Sequence, residues 1–198
     1  FSDNTITSGV AEVTHGFLGW SIKFFDYDND GDQDIFVANG HVMDNVNDLE
    51  KSVTYPQKNL LFQNIGEGVF RHIALSGGGL GLEKVSRGAA IGDYDNDGDL
   101  DILVTNWNQT ADLLQNQIGN RNNWVQIQVV GRTSNRSGIG ARIRIIVDGQ
   151  AQYQEVHAGG GYLSFSDLRV HFGVGQAQQI EQLEIRWPSG QVDEASDL

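Results

Sequence analysis

The residues best placed to do chemistry are ten aspartates in two short stretches. "DYDNDGDQD" at 26–34 holds Asp26, Asp28, Asp30, Asp32 and Asp34, and "DYDNDGDLD" at 93–101 holds Asp93, Asp95, Asp97, Asp99 and Asp101. Two carboxylates about 4 Å apart repel by roughly 4 kcal/mol at a near-surface effective dielectric. Five on one tight turn require either a cation or raised pKa values. Alternate side chains can converge on one point while Gly31 or Gly98 permits the sharp bend, and hard oxygen ligands suit Ca2+. The pattern assigns side-chain oxygens to Asp26, Asp28, Asp30 and Asp34 and a backbone carbonyl to Asp32. Asp93, Asp95, Asp97, Asp101 and Asp99 take the same parts. The expectation is two Ca2+ sites, favoured over Mg2+ by a many-carboxylate, water-poor ligand set, with a structural role, since a ligand of the folded loop stabilises it by mass action. These are not EF-hands: Val37 and Val104 stand where the closing Glu would be, and strands flank the loops instead of helices. A solvated acidic turn is the bland alternative, and recurrence in the same strand–loop–strand setting weighs against it.

The elements that position these loops repeat with them. Asp26 aligns with Asp93, 67 residues on, and each loop runs into an apolar stretch, Ile35–Ala38 or Ile102–Thr105. A second echo follows, "NLLFQNIG" at 59–66 and "DLLQNQIG" at 112–119. One unit is expected to be four short strands, 21–26, 33–39, 59–64 and 69–74. The first copy carries an extra segment around Val42–Tyr55. "FSDNTITSGV" at 1–10 resembles "FRHIALSGGG" at 70–79, so a leading strand is expected there, left over from an earlier repeat and in need of a partner. From about Asn120 the pattern changes. "WVQIQVV", "ARIRIIV", "AQYQEVH" and "LEIRW" alternate with a period of two, and "VDGQ" at 147–150 signals a two-residue hairpin. This second module is joined through "NQIGNRNN".

Composition agrees and sets limits. The chain has 198 residues, 25 Gly and 2 Pro, with its apolar residues in short runs, favouring strands and turns. The formal charge of −13 argues against nucleic acid or an anionic membrane as partner. That charge is local: residues 1–118 carry 18 Asp/Glu against 6 Lys/Arg, residues 119–198 carry 8 against 7. With no Cys, disulfides and thiolate chemistry are excluded. No apolar stretch approaches a membrane span, and no signal peptide is visible.

Other signals are weaker. The Gly runs at 77–81 and 137–142 complete no phosphate-binding pattern, and no G-x-S-x-G occurs. His15, His41, His72, His157 and His171 show no ligand spacing, so packing or surface roles are expected. Trp20 and Trp107 invite a glycan surface but fit core or interface packing, and Trp187-Pro188-Ser189-Gly190 ends a strand with a turn. "NQT" at 108–110 and "NRS" at 135–137 are sequons, meaningful in a eukaryotic secretory setting. "AGGGYLS" at 158–164 is the best candidate for a functional loop in the second module.

The acidic loops together with "LLFQNIGEGVF" resemble FG-GAP/VCBS-type repeats, the calcium-loop blades of integrin-like β-propellers. "NRNNWVQIQVVGRTSNRSGIGARIRI", "EVHAGGGYLSFSDLRVHFGVG" and "LEIRWPSG" are similar to the ASPIC/UnbV domain of cartilage-acidic-protein-like secreted proteins. The resemblance implies calcium-bound blades, an extracellular or periplasmic setting, and binding or adhesion without catalysis. It departs in number, since propellers close with about four to eight blades. The expected fold is all-β: a partial propeller over 1–118, about two four-stranded blades plus a leading strand, then a small antiparallel β-sandwich-like domain over 119–198. The expected partner is a protein, a glycan, or other copies or subunits of an assembly, with no nucleic acid and no membrane insertion. Two other readings stay open, an accessory domain of a secreted carbohydrate-active enzyme and a structural subunit completing its blades with other chains.

Overall fold

The computed structural model describes residues 1–74, 78–157 and 159–198, and it is all-β with several antiparallel sheets. The first sheet takes four strands in the order β1 (Gly19–Phe25), β2 (Asp34–Asn39), β4 (Leu60–Asn64) and β5 (Phe70–His72). A two-residue ladder joins β3 (Gln57–Lys58) to β6 (Glu83–Lys84). The second sheet has three strands, β7 (Ser86–Gly92), β8 (Asp101–Asn106) and β9 (Gln109–Leu114). The fourth strand expected of this copy is not formed: after Leu114 the chain turns through Asn116 and a 3-10 turn at Gly119–Arg121 into the second module. In the first copy, the extra segment around Val42–Tyr55 holds a short helix, α2 (Val46–Leu49), anchored by buried Val46.

The two sheets share one core of Phe25, Phe36, Ala38, Leu61, Ala89, Ile91, Ile102 and Val104, with Tyr27 and Leu100 from the acidic loops. The sequence repeat reappears in backbone detail. β1 is bulged between Gly19 and Ser21, and β7 between Ser86 and Gly88. Bulges re-aim side chains, and here the two bulged residues meet. The Arg87 guanidinium lies 4.4 Å from the Trp20 ring centroid, and both side chains donate to the Gly40 carbonyl. Trp20 is thus an interface residue.

The leading strand expected over 1–10 is not formed. Residues 4–9 close on themselves in turns, with Ser8 N–H donating to the Asn4 carbonyl, and a short helix, α1 (Ala11–Thr14), follows. The reason is apolar spacing. Val10, Val13 and Phe17 recur at helical intervals and cover Val37, Leu60 and Phe62 on the outer face of the first sheet. One ladder-like bond survives, from the Phe70 N–H to the Ser8 carbonyl.

The second module starts with β10 (Asn123–Ile127). β11 (Arg142–Val147) and β12 (Gln150–Glu155) form the expected hairpin, with Asp148 at φ 49° and Gly149 at φ 73°. Positive φ at both turn residues is what a two-residue type I′ hairpin requires. β13 (Gly160–Gly161) and β14 (Ser164–Phe165) make a miniature hairpin, followed by β15 (Val170–Gly175), β16 (Gln182–Arg186) and β17 (Val192–Ser196). A four-stranded sheet, β12-β11-β16-β17, and the pair β10-β15 enclose Ile143, Ile145, Val147, Val156, Val170 and Phe172. β15 escapes alternation because four of its six residues are buried in succession. Of the two Gly runs, 77–81 lies partly outside the described residues and ends in a 3-10 turn at Gly79–Gly81. The run at 137–142 is a turn with Gly138 at φ 69°.

Candidate metal centre

Each acidic loop connects the first two strands of its sheet, and the two loops have the same shape. Asn29 and Asn96 adopt φ 57° and 59°, and Gly31 and Gly98 adopt φ 97° and 94°. Left-handed residues at these points fold the chain back on its own carboxylates. Asp26 accepts from the N–H groups of Asp30 (3.1 Å) and Gly31 (2.8 Å), and Asp93 from those of Asp97 (3.1 Å) and Gly98 (3.1 Å).

Asp26, Asp28 and Asp34 bring one carboxylate oxygen each within 4.8 Å of one another, and Asp93, Asp95 and Asp101 do the same. Asp30 and Asp97 stand exposed outside these triads, each accepting from the N–H two residues on, that of Asp32 or Asp99. Asp32 is exposed, while Asp99 is fully buried against the turn at Gly119. Both Asp99 oxygens are buried without a hydrogen-bond partner among the described residues.

The strand echo turns out to serve the loops. Gln63 donates to Asp28 (2.9 Å), and Gln115 donates to Asp95 (2.6 Å). The following asparagines give their N–H groups to the closing carboxylates, Asn64 to Asp34 (2.7 Å) and Asn116 to Asp101 (2.8 Å). Their side chains then cap the next turn. The sequence signal was the Gln-Asn dipeptide shared by both echoes, read only as strand.

Electrostatically the polypeptide alone is under load. Burial pushes the Asp26 carboxyl up to about 7 and the Asp34 carboxyl up to about 8, despite the backbone N–H groups each accepts. Burial, then the Asp97 charge, raises Asp99 to about 6, and burial raises Asp101. One Asp28 oxygen is buried with no hydrogen-bond partner among the described residues. An orphaned carboxylate oxygen between two buried carboxylates fits a cation, which would supply the missing partner and reverse the pKa displacements. Two buried acidic clusters could therefore hold metal ions.

A pH dependence follows. A folded-state pKa above the unfolded value means that the native loop keeps protons the unfolded chain gives up. Without metal, the contribution of Asp26 and Asp34 is complete below about pH 4 and is lost as pH rises through their folded values of about 7 and 8. The slope is about 1.4 kcal/mol per pH unit for each proton retained. Urea melts of chelated protein are expected to weaken from pH 5 to pH 8, while apparent cation affinity rises over the same interval. A metal-free protein that strengthens over that range contradicts the loop electrostatics.

The second module grips both loops from behind, through residues that sequence patterning missed. Asn29 is fully buried, and its Nδ2 donates to the Gly98 (3.0 Å) and Gly119 (3.1 Å) carbonyls. Its Oδ1 accepts from His171 Nε2 at 2.7 Å on β15, which fixes the proton on that nitrogen. Burial holds the His171 imidazole down at about 4, neutral at physiological pH, and it stacks on Trp124 at 5.6 Å. In the second loop, Arg169 donates to Asn96 Oδ1 (2.8 Å) and to the Asp93 carbonyl (3.2 Å). β15 passes so close to the first loop that a Cβ at Gly173 would collide with Asp26 Oδ2 and the Asn29 backbone. Packing or surface roles were expected of the histidines, and His171 packs at the junction of the two loops.

The ASPIC and UnbV family matches residues 131–198. Cartilage acidic protein 1 from Homo sapiens is 29% identical over 175 residues, covering 84% of this chain and 24% of that protein. The Mus musculus protein of the same name is 29% identical over 175 residues, 84% and 25% of the two chains. That of Xenopus tropicalis is 30% identical over 110 residues, 53% and 16%. The chain thus spans a quarter or less of the curated relatives it matches. By these similarities, residues 131–198 carry the ASPIC and UnbV likeness, and most of the chain is similar to part of cartilage acidic protein 1.

Proposed function

We propose that the chain is a calcium-stabilised, non-catalytic binding module of an exported protein. In this reading the two sheets are neighbouring FG-GAP/VCBS-type propeller blades, each with one Ca2+ in its first loop. The observation that carries it is the pair of matching acidic triads, of which the first holds a buried carboxylate oxygen without a partner among the described residues. Oxygen-only, carboxylate-rich sites favour Ca2+ over Mg2+, which keeps its waters. The likeness to cartilage acidic protein 1 supports an extracellular setting, and among the described residues no helix is long and apolar enough to cross a membrane. The ion is architectural, and the contact surface for a protein, a glycan or further copies lies on the strands and loops that the ions hold in place.

Calorimetric titration of metal-free protein with Ca2+ is expected to give two sites per chain, with Mg2+ binding far more weakly. Tb3+ gives an independent readout. Trp124 abuts the second loop, since a Cβ on Gly98 would meet its indole nitrogen, so excitation of tryptophan should sensitise bound Tb3+ and added Ca2+ should quench the emission. No saturable heat and no sensitised emission would overturn the reading.

A further inference from the structure

Hydrogen bonds join the two acidic triads to each other, and the joint is asymmetric. Tyr27, buried between Asp26 and Asp28, gives its N–H to Asp34 Oδ2 at 3.0 Å. Its carbonyl accepts from Asn116 Nδ2 at 2.6 Å, and the Asn116 N–H donates to Asp101 Oδ1 at 2.8 Å. Three bonds thus run from the closing carboxylate of one triad to that of the other, through one residue of each copy. Among the described residues the matching asparagine of the first copy stays within its own loop. Asn64 gives its N–H to Asp34 and its Nδ2 to the Gln33 carbonyl.

The turn that follows Asn116 is wedged between the loops. Asn122 Nδ2 donates to the Asp28 carbonyl at 2.9 Å. A Cβ at Gly119 would stand 2.9 Å from both Asp99 Oδ1 and the Tyr27 carbonyl. Residues 116–122 therefore touch the backbone of the first loop and the carboxylates of the second, so placing them against one loop places them for the other. Gathering carboxylates around a cation fixes the Tyr27 peptide groups at the first site and the Asn116 N–H at the second. The cost of ordering a shared segment falls on whichever ion binds first, and the second ion then binds more tightly. Repulsion between the two ions acts in the opposite sense and is damped by salt, over about 8 Å at physiological ionic strength.

We propose that the two sites bind their cations cooperatively and that Asn116 is the positioning residue that couples them. The proposal rests on the reading of the triads as cation sites and adds that neither loop fills independently of the other. Such coupling is reciprocal, and a single side-chain hydrogen bond puts its expected size at about five- to tenfold in affinity.

The test is calorimetric titration of Ca2+, in physiological salt, into wild type, Asp28→Ala and Asp95→Ala. The wild type gives the overall two-ion association constant, and each variant gives the constant of the site it retains. The overall constant is expected to exceed the product of the two single-site constants by the coupling factor, about five- to tenfold. Repeating the set in an Asn116→Ala background cancels the charge change made by each aspartate replacement, and the factor should fall to about one. That background should fold, because Asn29 Nδ2 still bonds the Gly98 and Gly119 carbonyls and the N–H at 116 still reaches Asp101. Asn64→Ala is the control, and the factor should survive it. A wild-type factor of one, which needs no Asn116 variant, overturns the cooperativity and leaves the two-site cation reading standing. A factor that survives Asn116→Ala overturns the coupling assigned to Asn116. Absence of binding heat in every protein overturns the cation reading, and this proposal with it.

Discussion

Saturating Ca2+ is expected to raise the melting temperature of the chain by roughly 10–20 °C relative to chelated protein. At about a hundredfold excess over Kd, each site binding only the folded loop contributes about 2.7 kcal/mol. For a chain of this size each kcal/mol shifts the melt by about 2–4 °C. The informative variant is Asp28→Ala combined with Asp95→Ala. Among the described residues each of these carboxylates holds only the amide of Gln63 or Gln115, whereas Asp34 and Asp101 tie down backbone N–H groups of the loop and the following strand. The double variant should therefore fold without metal as well as the wild type, having lost like-charge repulsion, and should no longer respond to Ca2+. Identical wild-type melts with calcium and with chelator would sink the idea that these loops are metal sites.

The second large effect belongs to Asn29. Asn29→Ala removes a side chain that satisfies two carbonyls and the His171 imidazole in a fully buried setting. Unsatisfied buried partners cost about 1–3 kcal/mol each, and alanine also resists the left-handed backbone at φ 57°. A total loss of roughly 3–5 kcal/mol in urea denaturation is expected. Asn29→Gly relieves the backbone term and should recover about 1 kcal/mol of it. The repeat supplies the control. Asn96 has the same backbone shape but is exposed and, among the described residues, its side chain holds only Arg169, so Asn96→Ala should cost about 1 kcal/mol, chiefly from the backbone. Equal losses at the two positions would show that the junction with the second module adds nothing.

That contrast also marks where the sequence stops being informative. Both loops read D-Y-D-N-D-G-D-x-D, and their shared shape was legible because glycine, asparagine and alternating aspartates act within a few residues. The β11–β12 hairpin was legible for the same reason, through Asp148-Gly149. The different fates of Asn29 and Asn96 were not legible, because they are decided by β15, 142 residues from Asn29 in the His171 bond. The N-terminal segment misled through its likeness to residues 70–79, while the helical spacing of Val10, Val13 and Phe17 was too short a run to outweigh that likeness. The missing fourth strand of the second sheet had no signal, since the chain leaves β9 through the same Gln-Asn turn that the first copy uses to continue.

The passage of β15 behind the first acidic loop has a consequence for how the molecule is made. A chain emerging N-terminus first, from a ribosome or a translocation pore, displays the Asn29 loop long before its backing exists. At about 5–20 residues per second, the 142 residues separating Asn29 from His171 take roughly 7–30 s to appear. During that interval the loop can already fold its own turn, because Asp26 and its amide donors are local. Closure then awaits a strand whose glycine at 173 must slide past a carboxylate already in position. The protein thus combines quick local turns with one late, distant docking step, the kind of non-local contact that sets the pace of folding.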